Sequence, residues 1–306
     1  MIDRSFLTVD GQYIGRFAPS PTGSLHFGSL VAAVASFLQA RSHGGSWIIR
    51  IDDIDPPREV AGSAASIVRD LAVLGLVADA PVFFQSTRKG DYWLACKKLL
   101  ESDNAYWCGC SRAEVPAGPY PGTCSEGLPP GKARRSIRLR APSDNISFHD
   151  GVQGAVSVSI KDTCGDFVIW RADELPAYQL AAGMDDAFQK ITEVVRGADL
   201  LDSTPRQIAV QQALEMQSPA YAHVPVATLN GRKLSKRLND VAFSEIDPVF
   251  LMRAVLEFLG HTPPARLALD QLWRWAITHW KLSGIPAARM REIAEISGPD
   301  PLNGIL

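Results

Sequence analysis

Residues 13–28 run YIGRFAPSPTGSLHFG, and this stretch changes character twice. Tyr13 to Phe17 has the composition of a short strand, whereas the two prolines of the next loop, Ala18 to Gly23, cannot continue a strand ladder. Apolar residues then recur at helical spacing, which predicts a helix from Ser24 to Ala40. The run SWIIRI at 46–51 predicts a buried strand. Strand, loop, helix and strand in this order indicate a βαβ unit and an α/β fold with a parallel sheet.

The loop after the first predicted strand is a candidate binding site, because parallel sheets bind ligands at the carboxyl ends of their strands. Asp52, directly after the second strand, falls at the same end. His26 and Gly28, at the mouth of the predicted helix, suit an anionic ligand, since glycine allows close backbone approach and histidine can donate to a phosphate oxygen. A purely structural histidine at a helix start is the alternative. The sequence contains neither a P-loop motif nor G-x-G-x-x-G.

Composition narrows the class of protein. The chain has 306 residues and a mass of 33.2 kDa, enough for about two domains. Its apolar fraction of 46% and charged fraction of 21% exclude a disordered or fibrous chain. It contains no apolar stretch of the roughly 18–20 residues that a membrane span needs, and its start lacks a signal-peptide pattern. We therefore expect a cytoplasmic protein without a membrane partner.

The net charge of −2 predicts no particular partner, so a nucleic-acid role must depend on local basic patches. Two patches are candidates, and a solvated loop face is an equally good interpretation of the first. The first patch consists of Lys132, Arg134, Arg135, Arg138 and Arg140. The second is the run Arg232 to Arg237 behind an Asn-Gly turn. Lys233 and Lys236 in it have the chemistry to neutralise a leaving polyphosphate, although a solvated basic turn has the same composition.

Taken together, the 13–28 stretch and the Lys233–Arg237 loop resemble the HIGH and KMSKS signatures of class I aminoacyl-tRNA synthetases. The spelling RFAPSPTGSLHFG, RIDDIDPPR at 50–58 and VRGADL at 195–200 look specifically like the glutamyl branch. These motifs cover the chain from about residue 13 to residue 240.

Length decides within that branch, since 69 residues follow Arg237 and glutamyl-tRNA synthetases carry a large anticodon-binding region there. The chain therefore resembles the glutamyl-queuosine tRNA(Asp) synthetases, whose signatures also match LHFGSL at 25–30 and YQLA at 178–181. That resemblance implies activation of L-glutamate by ATP without tRNA, then transfer to the queuosine base at the wobble position of tRNA(Asp). Charging of tRNA(Glu) by a truncated synthetase, a small-molecule acyl-adenylate ligase of the pantothenate synthetase type, and a non-catalytic RNA-binding paralogue are the alternatives.

The resemblance also implies an architecture. We expect a class I synthetase fold with a Rossmann-like parallel sheet, an inserted zinc-bearing region and a short helical C-terminal part. The expected divisions are 1–106 with the HIGH-type motif, 107–150 with zinc, 151–240 with the KMSKS-type loop, and 241–306 with helices. From Asp247 onward we expect helices only, and we expect a monomer.

Site residues follow from the matched motifs. The resemblance places glutamate recognition on Arg16, Phe17, Ala18, Pro19, Ser20, Asp52, Tyr178 and Arg196. It places ATP recognition on His26, Gly28 and Lys236, with Mg²⁺ bound to ATP, and catalysis on His26, Lys233 and Lys236. Arginines suit the carboxylates of glutamate because they bind them through two parallel hydrogen bonds, and an acid suits its ammonium group. Asp52 stands where the family usually has the longer glutamate.

Three of the five cysteines, Cys108, Cys110 and Cys124, lie within seventeen residues of one another. Clustered cysteines in an intracellular chain point to zinc before a disulfide, but structural zinc has four ligands and one is missing. Three free thiols are the alternative. The family resemblance supplies Tyr120 as the fourth ligand, in a C-x-C…Y-x-x-x-C arrangement. Cys96 and Cys164 are interpreted as core residues.

Overall fold

The structure, a computed structural model, describes residues 12–229, 231–233 and 246–293, and at Arg232 and Lys233 it describes the backbone alone. The α-helices are α1 (Phe27–Ser42), α2 (Ser63–Val73), α3 (Lys89–Glu101), α4 (Ile160–Thr163), α5 (Tyr178–Phe188), α6 (Thr204–Ala213), α7 (Pro248–Phe258) and α8 (Leu269–His279). The strands are β1 (Ile14–Phe17), β2 (Ser46–Ile51), β3 (Phe83–Phe84), β4 (Ala105–Cys108), β5 (Ser136–Leu139), β6 (Ile146–Asp150), β7 (Gly154–Val158), β8 (Phe167–Trp170), β9 (Glu193–Gly197), β10 (Ala220–Val224), β11 (Val226–Leu229), β12 (Arg232–Lys233) and β13 (Met290–Glu292).

The predicted βαβ unit is present, with β1 parallel to β2 and α1 between them in the chain. Strand β2 continues in parallel to β3. On the other side β1 lies next to β9, where the Thr192 amide donates to the Ile14 carbonyl at 3.0 Å. Strand β9 pairs in parallel with β10 and β10 with β6, while β7 is antiparallel to β6. This order places the carboxyl ends of β1 and β9 side by side.

Helix α1 packs its apolar face into the main core, where Leu30, Val34 and Leu38 are fully buried. It begins at Phe27, three residues later than the sequence predicts, because the His26 side chain accepts the Ser29 amide and caps the helix there. The Phe27 ring meets Phe258 of α7 edge-on at 5.8 Å between centroids. Although α1 has 16 residues, neither it nor another helix of the described ranges is both long and apolar enough to cross a membrane.

The region predicted as a zinc-bearing insertion begins and ends in regular strands. Strands β4 and β5 pair antiparallel, and β5 pairs antiparallel with β8. The long loop between β4 and β5 carries Cys110, Tyr120 and Cys124. The Tyr120 amide donates to the Cys164 carbonyl at 2.9 Å, so the middle of this loop is fixed to the segment before β8.

The C-terminal part contains α7 and α8, as expected, but the expectation of helices only is wrong. Strand β13 pairs in parallel with β11, and β12 pairs antiparallel on the other side of β11. The backbone between α8 and β13 contains Pro286, which lacks the amide hydrogen that a helix interior needs. The predicted strand from Val224 to Leu229 is likewise divided at Pro225 into β10 and β11.

Candidate active site and cysteine cluster

A cavity of about 270 Å³ opens at the carboxyl ends of β1 and β9. The loop after β1 and the start of α1 form one wall, and β9 with the residues after it forms another. The junction of β10 and β11 at Pro225 also lines it. The sequence-predicted residues around this cavity are Arg16, Phe17, Ala18, Pro19, Ser20, His26, Gly28, Tyr178 and Arg196. The fold thus brings residues from both predicted catalytic halves to one space.

Arg196 lies on β9 and is 4% exposed. Its Nη2 atom donates to Thr204 Oγ1 and to Gln207 Oε1, both at 2.8 Å. Its Nε atom donates to His223 Nε2 at 3.0 Å, and its Nη1 atom to the Tyr178 hydroxyl at 3.4 Å. Within the described ranges these partners are neutral and no carboxylate forms an ion pair with Arg196. A buried cation without a counter-ion is unfavourable, so this guanidinium favours an anion in the cavity.

A buried pair behind Arg196 fixes its orientation. Asp150 Oδ2 lies 2.5 Å from His223 Nδ1, and both side chains are fully buried. Burial lowers the pKa of His223 and the nearby Arg196 adds to this, against the opposite effect of Asp150. The imidazole is therefore neutral, with its Nδ1 proton donated to Asp150 and Nε2 left to accept from Arg196. The His223 ring therefore lies between the Asp150 carboxylate and the Arg196 guanidinium. Asp150 orients Arg196 through this ring and does not form a direct ion pair with it.

Arg16, at the other side of the cavity, has a carboxylate partner. Its Nε atom lies 3.2 Å from Asp186 Oδ1, which also accepts from Arg50 Nη1 at 2.8 Å. Burial alone raises the pKa of Asp186, but the two guanidinium groups outweigh it and hold the pKa below its usual value. Arg16 thus shares its carboxylate partner with Arg50, which also pairs with Asp52.

Asp52 is placed differently from the other predicted glutamate ligands. It is 5% exposed, is not among the residues that line the cavity, and lies 2.8 Å from Arg50 Nε through its Oδ1 atom. Burial raises the pKa of Asp52 to about 6, although Arg50 acts in the opposite direction. Its amide donates to the Pro19 carbonyl at 3.0 Å, so this hydrogen bond fixes the loop after β1 to the end of β2. Contact of Asp52 with the glutamate ammonium stays a prediction.

His26 and Gly28 lie together at the start of α1. His26 Nδ1 accepts the Ser29 amide at 3.2 Å, and its Nε2 is 3.0 Å from the Ser29 hydroxyl. A Cβ atom at Gly28 would lie 3.3 Å from the His26 ring, so glycine lets the ring stay close to the helix. Gly23 has a φ of 134°, and its amide and carbonyl both bond to Ser63 Oγ, which ties the loop to α2. The helix start is thus where the sequence predicts the phosphate site to be, and anion binding by His26 and Gly28 stays a prediction.

Of the two predicted catalytic lysines, Lys233 has a described backbone and Lys236 lies outside the described residues. The backbone of Lys233 lies in β12, opposite Thr228 of β11. Because the preceding residues of β11, Val226 and Ala227, line the cavity, the KMSKS-type loop begins beside one cavity wall. The side chain of Lys233 and all of Lys236 lie outside the described residues, so their roles stay predictions.

The three clustered cysteines converge, with their sulfur atoms all within 4.8 Å of one another. Cys110 and Cys124 have sulfurs 3.7 Å apart. The Tyr120 hydroxyl lies 3.4 Å from Cys108 Sγ and 3.5 Å from Cys110 Sγ. Cys96 and Cys164 are separate from this cluster.

The Cys110–Cys124 distance and the two Tyr120 distances match those around one tetrahedral ion. Zinc–sulfur bonds of about 2.3 Å place two sulfurs about 3.8 Å apart, and a zinc–oxygen bond of about 2.0 Å places oxygen about 3.5 Å from each sulfur. Arg138 donates from Nε to Cys108 Sγ at 3.3 Å. Burial raises the pKa of the Cys108 thiol, but hydrogen bonds from Tyr120 and Arg138 outweigh it and lower the pKa to about 7. The donor set therefore suits zinc.

Comparison with known proteins shows the family to which the chain belongs. The family model for the catalytic domain of class I tRNA synthetases (E and Q) matches residues 14–117 and 130–265. The glutamyl-Q tRNA(Asp) synthetase of Chromobacterium violaceum is 47% identical over 289 residues, which are 91% of this chain and 97% of the relative. That of Geobacter sulfurreducens is 48% identical over 295 residues, 90% of this chain and 94% of the relative. The chain belongs to the glutamyl-Q tRNA(Asp) synthetase family.

One solved structure that matches the fold of this chain is that of a larger synthetase. The crystal structure of the glutamate-tRNA synthetase from Elizabethkingia anophelis has a TM-score of 0.79 and 27% sequence identity to it. The match covers 92% of this chain and 68% of that chain. The class I synthetase fold with its parallel-sheet core is thereby confirmed.

Sequence reasoning missed the residues that hold the family's predicted arginines in place. Asp186 lies 170 residues from its partner Arg16, and His223 lies 27 residues from its partner Arg196. Neither these two residues nor Asp150 belongs to the motifs used. Asp199 and Leu200 also line the cavity. They follow Arg196 in the quoted VRGADL stretch, so that motif pointed to their neighbourhood but not to their role.

Proposed function

We propose that this chain uses ATP to activate L-glutamate without tRNA and then esterifies the glutamate onto queuosine at the wobble position of tRNA(Asp). The observation that carries the proposal is the single cavity shared by the His26 helix start and the buried Arg196. Relatives named for this reaction match nine tenths of the chain, which supports the choice of RNA. Charging of tRNA(Glu) and small-molecule ligation have no comparable support.

In the first step a carboxylate oxygen of glutamate attacks the α-phosphorus of ATP. A new P–O bond forms, the bond to the β-phosphate breaks, and pyrophosphate leaves with its electron pair, so glutamyl adenylate remains. The Mg²⁺ that enters with ATP neutralises phosphate charge. The enzyme supplies position and charge and forms no covalent intermediate of its own.

The cavity divides these tasks between its two sides. Arg196, with Tyr178 beside it, and Arg16 hold the carboxylate groups of glutamate, and the loop from Phe17 to Ser20 shapes the space for its side chain. His26 and the backbone near Gly28 meet the ATP phosphates at the start of α1. Asp52, which is hydrogen-bonded to this loop, supplies the negative charge for the ammonium group of glutamate.

Two lysines complete the proposed machinery for the leaving group. Lys236 meets the departing pyrophosphate, and Lys233 supports it from β12. In the second step a hydroxyl of the cyclopentenediol ring of queuosine attacks the acyl carbon of the adenylate. The ester C–O bond forms, the acyl–phosphate bond breaks, AMP leaves, and the hydroxyl proton passes to solvent.

The first half-reaction separates this proposal from its alternatives. Glutamate alone, with no RNA present, should support ATP–pyrophosphate exchange. Exchange that required tRNA(Glu) would indicate a truncated glutamyl-tRNA synthetase. Exchange with a different carboxylic acid in place of glutamate would indicate a small-molecule ligase, and either result would refute the proposal.

The second half-reaction is tested with two preparations of tRNA(Asp). Radiolabelled glutamate should be transferred to tRNA(Asp) that contains queuosine and not to the same tRNA with guanosine at the wobble position. Cleavage of cis-diols by periodate before the reaction should abolish the transfer, because the proposed nucleophile is one of the two ring hydroxyls. Equal labelling of both preparations would contradict the assigned acceptor.

Zinc bound by Cys108, Cys110, Tyr120 and Cys124 is proposed to hold the loop between β4 and β5. Freshly purified protein should then contain about one equivalent of zinc. Cys124→Ser should lose most of it, while Cys164→Ser, a cysteine outside the cluster, should retain it. Elemental analysis decides the matter, and less than about half an equivalent in the wild type would count against the site.

We further propose that the protein acts as a monomer in the cytoplasm. Light scattering coupled to gel filtration measures the mass, which should match the 33.2 kDa of one chain. A mass of two chains or more would refute the monomer.

A further inference from the structure

A second cavity, of about 370 Å³, lies between α3 and the antiparallel sheet of β4, β5 and β8. Three tryptophans form its apolar surface: Trp93 on α3, Trp107 on β4 and Trp170 at the end of β8. We name it the tryptophan cleft after these residues. It does not overlap the candidate active site, and no motif from the sequence predicted it.

The tryptophan rings contact one another at an angle, and the Lys97 ammonium lies 5.9 Å from the centre of the Trp93 ring. The Trp93 ring is 5.0 Å from Trp170 and 6.3 Å from Trp107 between centroids, with interplanar angles of 53° and 58°. None of the rings is therefore stacked face to face on another. Trp170 is buried, whereas Trp93 and Trp107 are half-buried and expose part of their rings. Partly exposed indole faces are suitable platforms for a planar ligand.

The rim of the cleft carries positive charge. Lys89, Arg134, Arg135 and Arg171 line it together with one acid, Glu174. The Arg134 guanidinium lies 5.3 Å from the centre of the Trp107 ring. Lys89, Arg134 and Arg135 are exposed, and within the described ranges no carboxylate forms an ion pair with any of them.

The structure also separates the cations of the basic patch at 132–140 by their partners. Lys132 pairs with Glu114, and Arg140 with Asp103 at 2.9 Å. Arg138 is turned inward to Cys108 and to the Asp166 carbonyl at 2.7 Å. The remaining two cations of the patch, Arg134 and Arg135, are those that line the tryptophan cleft.

The cleft is connected to the candidate active site through two short segments. Arg171 Nη1 lies 3.0 Å from Asp55 Oδ1, in the acidic run that follows β2. Trp170 forms a backbone bridge with Pro176, two residues before the start of α5. Tyr178, the first residue of α5, lines the active-site cavity. The cleft and the active-site cavity are thus lined by residues of the same short stretch of chain, from Trp170 to Tyr178.

We infer that the tryptophan cleft binds unpaired nucleotides of the RNA loop that presents the base to be glutamylated, with bases stacked on Trp93 and Trp107 and phosphates on Arg134 and Arg135. This inference rests on the proposed function, since RNA is the substrate there. Stacking on aromatic rings beside arginines is how proteins hold single-stranded RNA. Unpaired arginines favour phosphates over a neutral protein surface.

The test compares two double variants. Arg134→Gln/Arg135→Gln should raise the dissociation constant for a fluorescein-labelled anticodon stem-loop of tRNA(Asp) by about tenfold or more, and should lower the salt slope of binding by about 1.4, because two contacts to single-stranded phosphates are lost. Fluorescence anisotropy measures both. ATP–pyrophosphate exchange without RNA should not change. Arg266→Gln/Arg274→Gln removes two exposed arginines of the C-terminal part and serves as the control.

The stacking component has its own variants. Trp93→Leu should weaken RNA binding by about tenfold, whereas Trp93→Phe, which retains an aromatic ring, should restore most of it. An unchanged dissociation constant in the arginine variant, or an equal loss in the control pair, would overturn the inference. RNA binding is measured separately from glutamate transfer. Failure of the wild type to transfer glutamate would therefore refute the proposed function, whereas the binding of the stem-loop by the variants alone decides the inference about the cleft.

Discussion

Arg196→Lys is expected to lower kcat/KM for glutamate in the exchange reaction by about 100-fold while the KM for ATP changes little. Lysine retains the charge but loses the planar fork, so it cannot hold a carboxylate through two parallel bonds. The loss of such charge-assisted bonds costs about 3 kcal/mol, which corresponds to the stated factor. The neutral His223, Thr204 and Gln207 give the lysine no carboxylate in exchange.

Arg206→Lys is the matched control, since this arginine lies on α6 and outside the active-site cavity. It should leave exchange unchanged. Initial rates over a range of glutamate concentrations separate KM from kcat, and thermal unfolding shows whether each variant folds. Full glutamate activity in Arg196→Lys would remove Arg196 from the binding site.

The second large effect concerns His26, which has a structural and a proposed chemical role at the same position. Asparagine is a good helix N-cap, so His26→Asn should keep the stability of α1, but it does not carry the imidazole to the phosphates. We expect its exchange rate to fall by about 100-fold. His26→Ala should lose the same activity and, in addition, about 1 kcal/mol in the free energy of unfolding.

Exchange kinetics and chemical denaturation of the two variants measure these effects independently. His43→Asn, which changes the exposed histidine at the other end of α1, is the control and should behave as the wild type in exchange. If His26→Asn retained full activity, the histidine would be a helix cap and nothing more. That outcome would support the structural interpretation of a histidine at a helix start.

Local patterns predicted those parts of the molecule in which neighbours in sequence are neighbours in space. The βαβ unit around Phe17 and α1 follows from the prolines, the helical spacing and the buried strand. The cysteine cluster follows from close spacing along the chain, with Tyr120 supplied by family resemblance. The same resemblance, rather than any local pattern, indicated that Arg16 and Arg196 act together.

Other features depend on which distant segments the fold brings into contact. Asp150 supports Arg196 through His223 because β10 lies between β6 and β9, and no spacing in the sequence contains that order. The ion pair between Arg50 of β2 and Asp186 of α5 likewise joins residues that are distant in the chain. The run 132–140 contains several arginines that look alike in the sequence, yet they have different partners in the fold. Arg138 is buried beside Cys108, whereas Arg134 is exposed beside Trp107. Hydrophobic periodicity acts over a few residues, whereas the partner of a buried charge is set by the topology of the whole sheet.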